Sequence, residues 1–297
     1  MKKTVALFLC LCLMLPAAAL AETVVTSFYP VWLLTLNLTE GIEGMDVVNL
    51  AEPSTGCLHD YTLQNSDMVV LSGADALLIN GGGMESFLPV LTGACPDLPV
   101  VDASEGIPPL MEGDTVEIGE PEDGETVNSH FWLDPQCAAA MASNLADGLI
   151  RLFPDRARQL SDNLSAFLER LQALDDTMAE ALQSLPKKNV VIFHEAFPYF
   201  ARACGLPVLA VVNKEPDDDL SSAQLARILE LVRGEAALPL VLKSAEEDRS
   251  VSVLVNETGL PVCELDPIVS GPENPPMDYY EAVMIRNLEI LRAALAE

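Results

Sequence analysis

The chain contains three histidines, His59, His130 and His194, and Asp266 follows the last of them after a similar interval. Imidazole nitrogens and carboxylate oxygens are common ligands of a borderline divalent cation such as zinc, and no other side chain here offers a neutral nitrogen. A single histidine is more often a core or surface residue than a ligand. The similar spacing of all four residues instead predicts four metal ligands supplied by four separate loops.

Short apolar runs alternate with helical patterns, and four such runs occur in each half of the chain. They are almost continuously apolar, as parallel strands buried on both faces are. The runs are Thr23–Thr26, Asp46–Leu50, Ala76–Ile79, Val100–Asp102, Val190–Phe193, Val208–Val212, Pro239–Leu242 and Pro261–Leu265. We therefore predict an α/β fold with two lobes, each with a parallel four-stranded sheet flanked by helices, and a last helix from about Met277 to Ala296.

Between the two halves lies the longest periodic stretch, which starts at Pro154 and ends before Pro186. Apolar residues recur there at steps of three and four. They are Leu160, Leu164, Phe167, Leu171, Leu174, Met178, Leu182 and Leu185. The pattern predicts one long rigid helix that joins the lobes, and a coiled-coil seam is the alternative. The predicted division is a signal peptide at 1–21, an N-terminal lobe at 22–152, the linking helix at 153–186 and a C-terminal lobe at 187–297.

This scaffold places candidate ligands where strands end. His194 and Asp266 each directly follow a predicted strand, and His59 lies in the loop after another. Ligands of open α/β sheets bind outside the carboxyl ends of the strands. His130 follows an acidic segment, Glu112–Glu125, and precedes the next helix. Two candidates therefore come from each lobe, and a cation bound by all four would lie between the lobes.

The first residues have the layout of a secretory signal peptide. Two lysines precede an apolar stretch, Val5–Leu15, and small residues follow up to Ala21, after which cleavage is predicted. The apolar stretch is too short to remain as a membrane span. A lipid-modified cysteine at Cys10 or Cys12 is the alternative, although a leucine precedes each. We expect an exported protein that is periplasmic or associated with the cell surface.

Charge and cysteine content exclude some partners and motifs. The formal net charge of −29 disfavours nucleic acid and anionic membranes as partners. Five of the seven cysteines follow the predicted cleavage site, and none belongs to a CxxC motif. Cys204 and Cys263 either form a disulfide or remain as buried thiols, and Cys57 is a weak alternative ligand.

Several motifs occur in one order along nearly the whole chain after the signal peptide. They are Gly56–Tyr61, Asn80-Gly81 with Glu85, His130–Pro135, His194–Phe197 with Tyr199 and Gly205-Leu206, Leu265–Pro267 and the terminal pattern Tyr280–Leu295. Together they resemble the metal-binding family of substrate-binding proteins that serve ABC importers for zinc and manganese. The resemblance implies two α/β lobes joined by a long helix, with metal bound between them by His59, His130, His194 and Asp266. It also implies a membrane permease and its ATPase as partners.

The chain departs from the family pattern in three places. The acidic segment Glu112–Glu125 contains no histidine, whereas zinc-binding members often carry a histidine-rich loop there, and we expect a disordered, solvated insertion. The proline common just before the first ligand is replaced by Cys57 or Leu58, and the tryptophan common after Glu85 is Phe87. None of these changes touches a proposed ligand.

The donor set decides between metals and between binding and catalysis. Three imidazoles and one carboxylate favour zinc, although Asp266 binding through both oxygens would admit manganese. Four protein ligands close a site, whereas a catalytic zinc keeps one position open for water. We therefore expect a monomeric, non-enzymatic extracytoplasmic protein that binds the metal as its transported ligand. The alternatives are a secreted zinc-dependent hydrolase with Glu195 as base, which would lack an HExxH motif, and an exported binder of an organic solute.

Acidic residues close to the histidines in sequence are candidates for orienting the histidine rings. A metal-bound histidine usually donates its other ring nitrogen to an acceptor, and Asp60, Asp134 and Glu195 are candidates. Asp134 precedes a proline and is equally suited to cap the helix that follows. Trp132, two residues from His130, is expected to report metal binding through its fluorescence.

Overall fold

The computed structural model describes residues 21–56, 58, 61–111, 116–118, 127–186, 188–193, 195–212, 220–245 and 249–296. Residues 1–20 of the predicted signal peptide, most of the acidic segment, and Cys57, His59, Asp60 and His194 lie outside this range. No helix within it is long and apolar enough to span a membrane.

The first half of the chain forms one parallel sheet with helices between its strands. Its elements are β1 (Glu22–Thr26), α1 (Tyr29–Thr39), β2 (Met45–Asn49), α2 (Asn65–Ser72), β3 (Ala76–Ile79), α3 (Leu88–Ala94) and β4 (Val100–Asp102). The strand order is β2-β1-β3-β4, and every pair is parallel. All four residues of the inner strand β3 are buried, which explains its continuous apolar run.

The rest of the chain adds a short antiparallel strand pair, two long helices and a second sheet. Its elements are β5 (Leu110–Met111), β6 (Glu117–Ile118), β7 (Val127–Asn128), α4 (Pro135–Leu152), α5 (Ala157–Leu182), β8 (Val190–Phe193), α6 (Pro198–Ala203), β9 (Val208–Val212), α7 (Ser222–Arg233), β10 (Leu240–Lys243), α8 (Arg249–Thr258), β11 (Val262–Glu264) and α9 (Tyr279–Ala296). β5 and β7 pair antiparallel. The second sheet has the order β11-β10-β8-β9-β6, with all pairs parallel.

The predicted α/β fold with parallel sheets and a long helix is confirmed, with one correction to the second sheet. Instead of four strands it has five, because β6 from the acidic segment pairs with the edge strand β9. The prediction of a disordered, solvated insertion is therefore wrong for residues 116–118. The edge of β9 offers unpaired backbone groups, and Ile118 is buried against the sheet, so this short stretch gains both hydrogen bonds and apolar contacts.

The strands of the second sheet divide their side chains between two cores. Val190 and Ile192 join the large core that also contains the first sheet and the long helix, whereas Val191 and Phe193 join a smaller core with residues of α7 and α8. Successive side chains of a strand point to opposite faces, so both faces of β8 are covered. Cys204 and Cys263 lie in the large core as buried thiols.

The long helix α5 connects the two halves, as its apolar stripe predicts. It follows a single 3₁₀ turn, Pro154–Arg156, and its buried residues are Leu160, Phe167, Leu171, Leu174, Met178 and Leu182. The helix packs against α1, α4 and α9. Arg170 hydrogen-bonds Asn37 of α1, and its Nε lies 2.8 Å from Glu281 Oε1 of α9. The stripe is therefore filled by the chain's own helices rather than by a coiled-coil partner.

Candidate metal centre

His130 is fully buried just after β7, and its imidazole is oriented by Asn128. Asn128 Oδ1 lies 3.0 Å from the backbone N–H donor of His130 and 3.1 Å from its ring Nδ1. The amide of Asn128 also donates through Nδ2 to the carbonyl of Glu195 at 2.6 Å. These two backbone partners fix which end of the amide is the oxygen, so His130 Nδ1 faces an acceptor. In a neutral imidazole with its hydrogen on Nδ1, the lone pair lies on Nε2.

The loop after β3 supports the His130 turn from the side of the first sheet. Asn80 donates through Nδ2 to the carbonyl of Ser129 at 2.9 Å. Gly82 has a φ of 65°, and a Cβ there would lie 2.6 Å from the ring of Phe131. Glycine therefore allows both the left-handed backbone and the close approach at this position. Glu85 accepts hydrogen bonds from the backbone N–H groups of Asn80 and Gly81 and so holds the loop closed.

Asp266 follows β11, and a side chain of α9 holds its backbone. Buried Asn287 accepts from the Asp266 N–H at 2.9 Å and donates to the Asp266 carbonyl at 2.8 Å. The carboxylate Oδ1 accepts from the N–H of Ile268 at 2.8 Å, and Oδ2 lies 2.8 Å from Arg286 Nη2. Ile268 has a φ of 61°, which is rare for a β-branched residue, so strained backbone lies two residues after this candidate ligand.

One indole joins the two described ligand loops. Trp132, two residues after His130, donates from Nε1 to the carbonyl of Pro267 at 2.8 Å. Tyr280 of α9 in turn donates its hydroxyl to the carbonyl of Trp132 at 2.6 Å. Both Trp132 and Tyr280 are buried, so water does not compete for these bonds. The loops of His130 and Asp266 are therefore brought together from opposite halves of the chain.

Negative charge shapes the Asp266 side of the site. Burial and then neighbouring negative charges, including the Asp266 carboxylate, raise the pKa of both Tyr29 and Tyr279. Arg286 lowers the pKa of Tyr279 and contacts Asp266 directly. The Asp266 side chain is 32% exposed, so this ion pair is partly solvated. A partly accessible carboxylate beside one buried and one partly buried phenol is suited to bind a cation.

The structure places two of the four candidate ligands, and the other two, His59 and His194, lie outside the described residues. Within those residues no group of three or more His, Cys, Asp and Glu is positioned to hold a metal, so the complete ligand set stays a prediction. Asp134 is a helix cap: its Oδ1 accepts from the N–H groups of Gln136 and Cys137, and its Oδ2 pairs with Arg202.

Sequence reasoning missed three side chains that contact the described ligand residues. Asn128 orients His130, Asn287 holds the Asp266 backbone, and Arg286 binds the Asp266 carboxylate. Asn128 lies two residues before His130, and that short spacing was the one available signal. The other two lie on the final helix, and no local pattern connects them with Asp266.

Comparison with known proteins identifies the family. The sequence model of the periplasmic zinc-uptake complex component A family, ZnuA, matches residues 24–294. The chain therefore belongs to this family.

Individual relatives agree with this assignment. The chain is 28% identical over 297 residues to the zinc-binding lipoprotein AdcA of Streptococcus pneumoniae serotype 4, covering 97% of this chain and 58% of the relative. It is 26% identical over 281 residues to the high-affinity zinc uptake system protein ZnuA of Bacillus subtilis, covering 92% of this chain and 87% of the relative. The substrate-binding protein FpvC of Pseudomonas aeruginosa, solved with Mn²⁺, shares the fold with a TM-score of 0.81 at 23% identity, covering 93% of this chain and 99% of FpvC.

Proposed function

We propose that this protein captures a divalent transition metal ion, zinc in preference to manganese, and delivers it to an ABC importer composed of a permease and an ATPase. The proposed ligands are His59, His130, His194 and Asp266. The observation that carries the proposal is the hydrogen bond between Trp132 and Pro267, which joins the loops of His130 and Asp266 across the two halves. A neutral His130 whose Nδ1 donates to Asn128 would offer Nε2 to a metal.

The donor chemistry supports zinc. Three imidazoles and one carboxylate give a nitrogen-rich set that suits zinc, and the relatives AdcA and ZnuA are named for zinc binding and zinc uptake. Manganese is the second candidate, because it accepts oxygen donors and Asp266 has two carboxylate oxygens. The ion pair of Asp266 with Arg286 uses one of those oxygens, so a bidentate contact would require Arg286 to move.

In this proposal the protein acts outside the cytoplasm, in a periplasm or at the cell surface, and it is a monomer. We propose residues 22–152 and 187–297 as the two lobes and 153–186 as the linking segment. The short strand β6 lies within the first of these ranges but pairs with the second sheet. It therefore crosses from one proposed lobe to the other.

Two other functions predict different measurements. A zinc hydrolase would cleave peptide or ester substrates only with metal bound, whereas membership of a zinc-uptake family supports binding without turnover. A binder of an organic solute would keep the same stability with and without metal. A specific metal site would add about 4 kcal/mol at a thousandfold excess of free metal over the dissociation constant.

The proposal is tested by metal analysis of the purified protein and by titration of zinc and manganese into apo protein. The same titrations use four single variants and one charge-matched control at an exposed aspartate. They are His59→Ala, His130→Ala, His194→Ala, Asp266→Ala and the control Asp278→Ala. We expect the four site variants to lose most zinc affinity and the control to bind as wild type does, with Trp132 emission as one readout.

Two results would refute this function. Equal zinc uptake by wild type and all four site variants would show that these residues do not bind the metal. Zinc-dependent hydrolysis that disappears in the same variants would show that the site is catalytic.

A further inference from the structure

We infer that Asn128 is a positioning residue for the metal, which acts by fixing the His130 imidazole and by joining the segments that carry two of the proposed ligands. This inference rests on the proposed function and assigns a role to a residue outside the proposed ligand set. The Asn128 side chain contacts both His130 and Glu195. Oδ1 accepts from the backbone and the ring of His130, and Nδ2 donates to Glu195.

The first consequence concerns the tautomer of His130. A neutral imidazole carries one hydrogen, and a metal binds the nitrogen that lacks it. Since Asn128 Oδ1 can only accept, the hydrogen is held on Nδ1 and the lone pair is offered from Nε2. Without this acceptor, Asn128 no longer favours the hydrogen on Nδ1 over Nε2. A part of the molecules would then present an N–H group to the metal.

The second consequence concerns the link between the His130 loop and the segment that contains Glu195. Glu195 directly follows the proposed ligand His194 in sequence and starts the turn before α6. The bond from Asn128 Nδ2 to the Glu195 carbonyl ties this segment to the His130 loop at 2.6 Å. Asn128 is itself held, because its carbonyl accepts from Tyr199 Oη at 3.0 Å and its strand pairs with β5. The amide therefore fixes the two segments relative to each other.

Removing a group that holds a metal-bound histidine through its second ring nitrogen usually lowers metal affinity by roughly 10–100-fold. We expect Asn128→Ala to weaken zinc binding by about that factor. Asn128→Asp keeps an acceptor for His130 but replaces the donor to Glu195 with an oxygen. We expect it to retain the Nδ1–H tautomer and to bind zinc better than Asn128→Ala does.

The direct test is nuclear magnetic resonance of the histidine rings in the apo protein. The chain has only three histidines, so the ring signals are few, and His130→Asn assigns the set that disappears. We expect wild type and Asn128→Asp to show His130 with hydrogen on Nδ1, and Asn128→Ala to show a mixture of tautomers. Zinc affinity is then measured for the same proteins by competition with a chelator.

A control separates positioning from loss of stability. Asn163 also donates through its amide to two backbone carbonyls, those of Leu38 and Glu40, at 2.9 Å each. Asn163→Ala removes comparable bonds, and we expect it to change neither the His130 tautomer nor zinc affinity.

Two results would overturn the inference. One is the Nε2–H tautomer in wild-type apo protein, which needs no variant to detect. The other is an unchanged tautomer and affinity in folded Asn128→Ala. If no protein binds zinc, the proposed function fails, whereas the tautomer measurement still decides whether Asn128 orients the ring.

Discussion

We expect Glu85 to contribute a stability that falls as pH rises from about 4.5 to about 7. The side chain is buried in the loop after β3, and burial raises its pKa from 4.5 to about 7. Its carboxylate accepts from the backbone N–H groups of Asn80 at 2.8 Å and Gly81 at 3.1 Å, which oppose the shift, whereas the charge of Asp102 adds to it. The desolvation of the carboxylate dominates because water cannot reach it.

The sign and size of the effect follow from proton linkage. The unfolded chain releases this proton near pH 4.5 and the folded protein near pH 7, so the folded state binds more protons in between. The free energy of unfolding therefore decreases as pH rises across this interval. At about 1.4 kcal/mol per pH unit, the interval is worth about 3 kcal/mol. This stabilisation is fully present below about pH 4.5 and is lost as pH rises through about 7.

The assay is chemical denaturation of wild type, Glu85→Gln and the exposed control Glu289→Gln between about pH 4.5 and 8. Glutamine has a single acceptor oxygen, so Glu85→Gln loses one backbone hydrogen bond and is less stable at low pH. We expect the advantage of wild type over Glu85→Gln to shrink by about 3 kcal/mol over this range. Parallel stability curves for wild type and Glu85→Gln would refute the reasoning.

Two further substitutions test other contacts. Arg286→Gln frees the Asp266 carboxylate from a partly exposed ion pair worth about 0.5–1 kcal/mol. We therefore expect zinc affinity, measured by competition with a chelator, to rise about two- to fivefold. The control Arg292→Gln makes the same charge change and should leave zinc affinity unchanged. Gly148→Ala pushes a methyl group into Val101, and we expect a net loss of about 1–2 kcal/mol in denaturation despite the better helix propensity of alanine. Restoration by Val101→Ala would support the clash, and an unchanged or higher stability of the single variant would contradict it.

The sequence predicts the parts of this fold that repeat a simple pattern. All eight predicted strands are present, because a strand covered on both faces must be apolar almost throughout. The long helix is predicted for a similar reason, since the buried residues of its apolar stripe recur at helical spacing and the helix packs against other helices of the chain. The two-residue strand β6 could not be predicted. Its pairing depends on the edge of β9, which is distant in sequence and exposes backbone groups only after the sheet has formed.

In the candidate site, too, the sequence predicts some features and not others. Histidine scarcity and strand-end position indicate ligand candidates from sequence alone. The contacts that orient them do not follow, because an asparagine or arginine carries no periodic signal and its partners lie far along the chain. Asn287, for example, holds Asp266 from a helix that starts after the intervening loop. Asp134 shows the limit most clearly, since both the cap and the orienting role fit its sequence and only its bonds to Gln136 and Cys137 decide between them.

The hydrogen bonds that hold the loops of His130 and Asp266 join residues from the two halves of the chain. Asn128 reaches Glu195, Trp132 reaches Pro267, and Tyr280 reaches the Trp132 carbonyl. These bonds form between protein groups, and none of them uses the Asp266 carboxylate or the His130 Nε2. If the proposed site is correct and the same bonds form without metal, binding needs little rearrangement on this side, and the free energy of metal binding is not consumed in ordering these loops. Affinity then also depends on how firmly the amide, indole and phenol contacts hold each loop, so these neutral side chains contribute to capture together with the ligands.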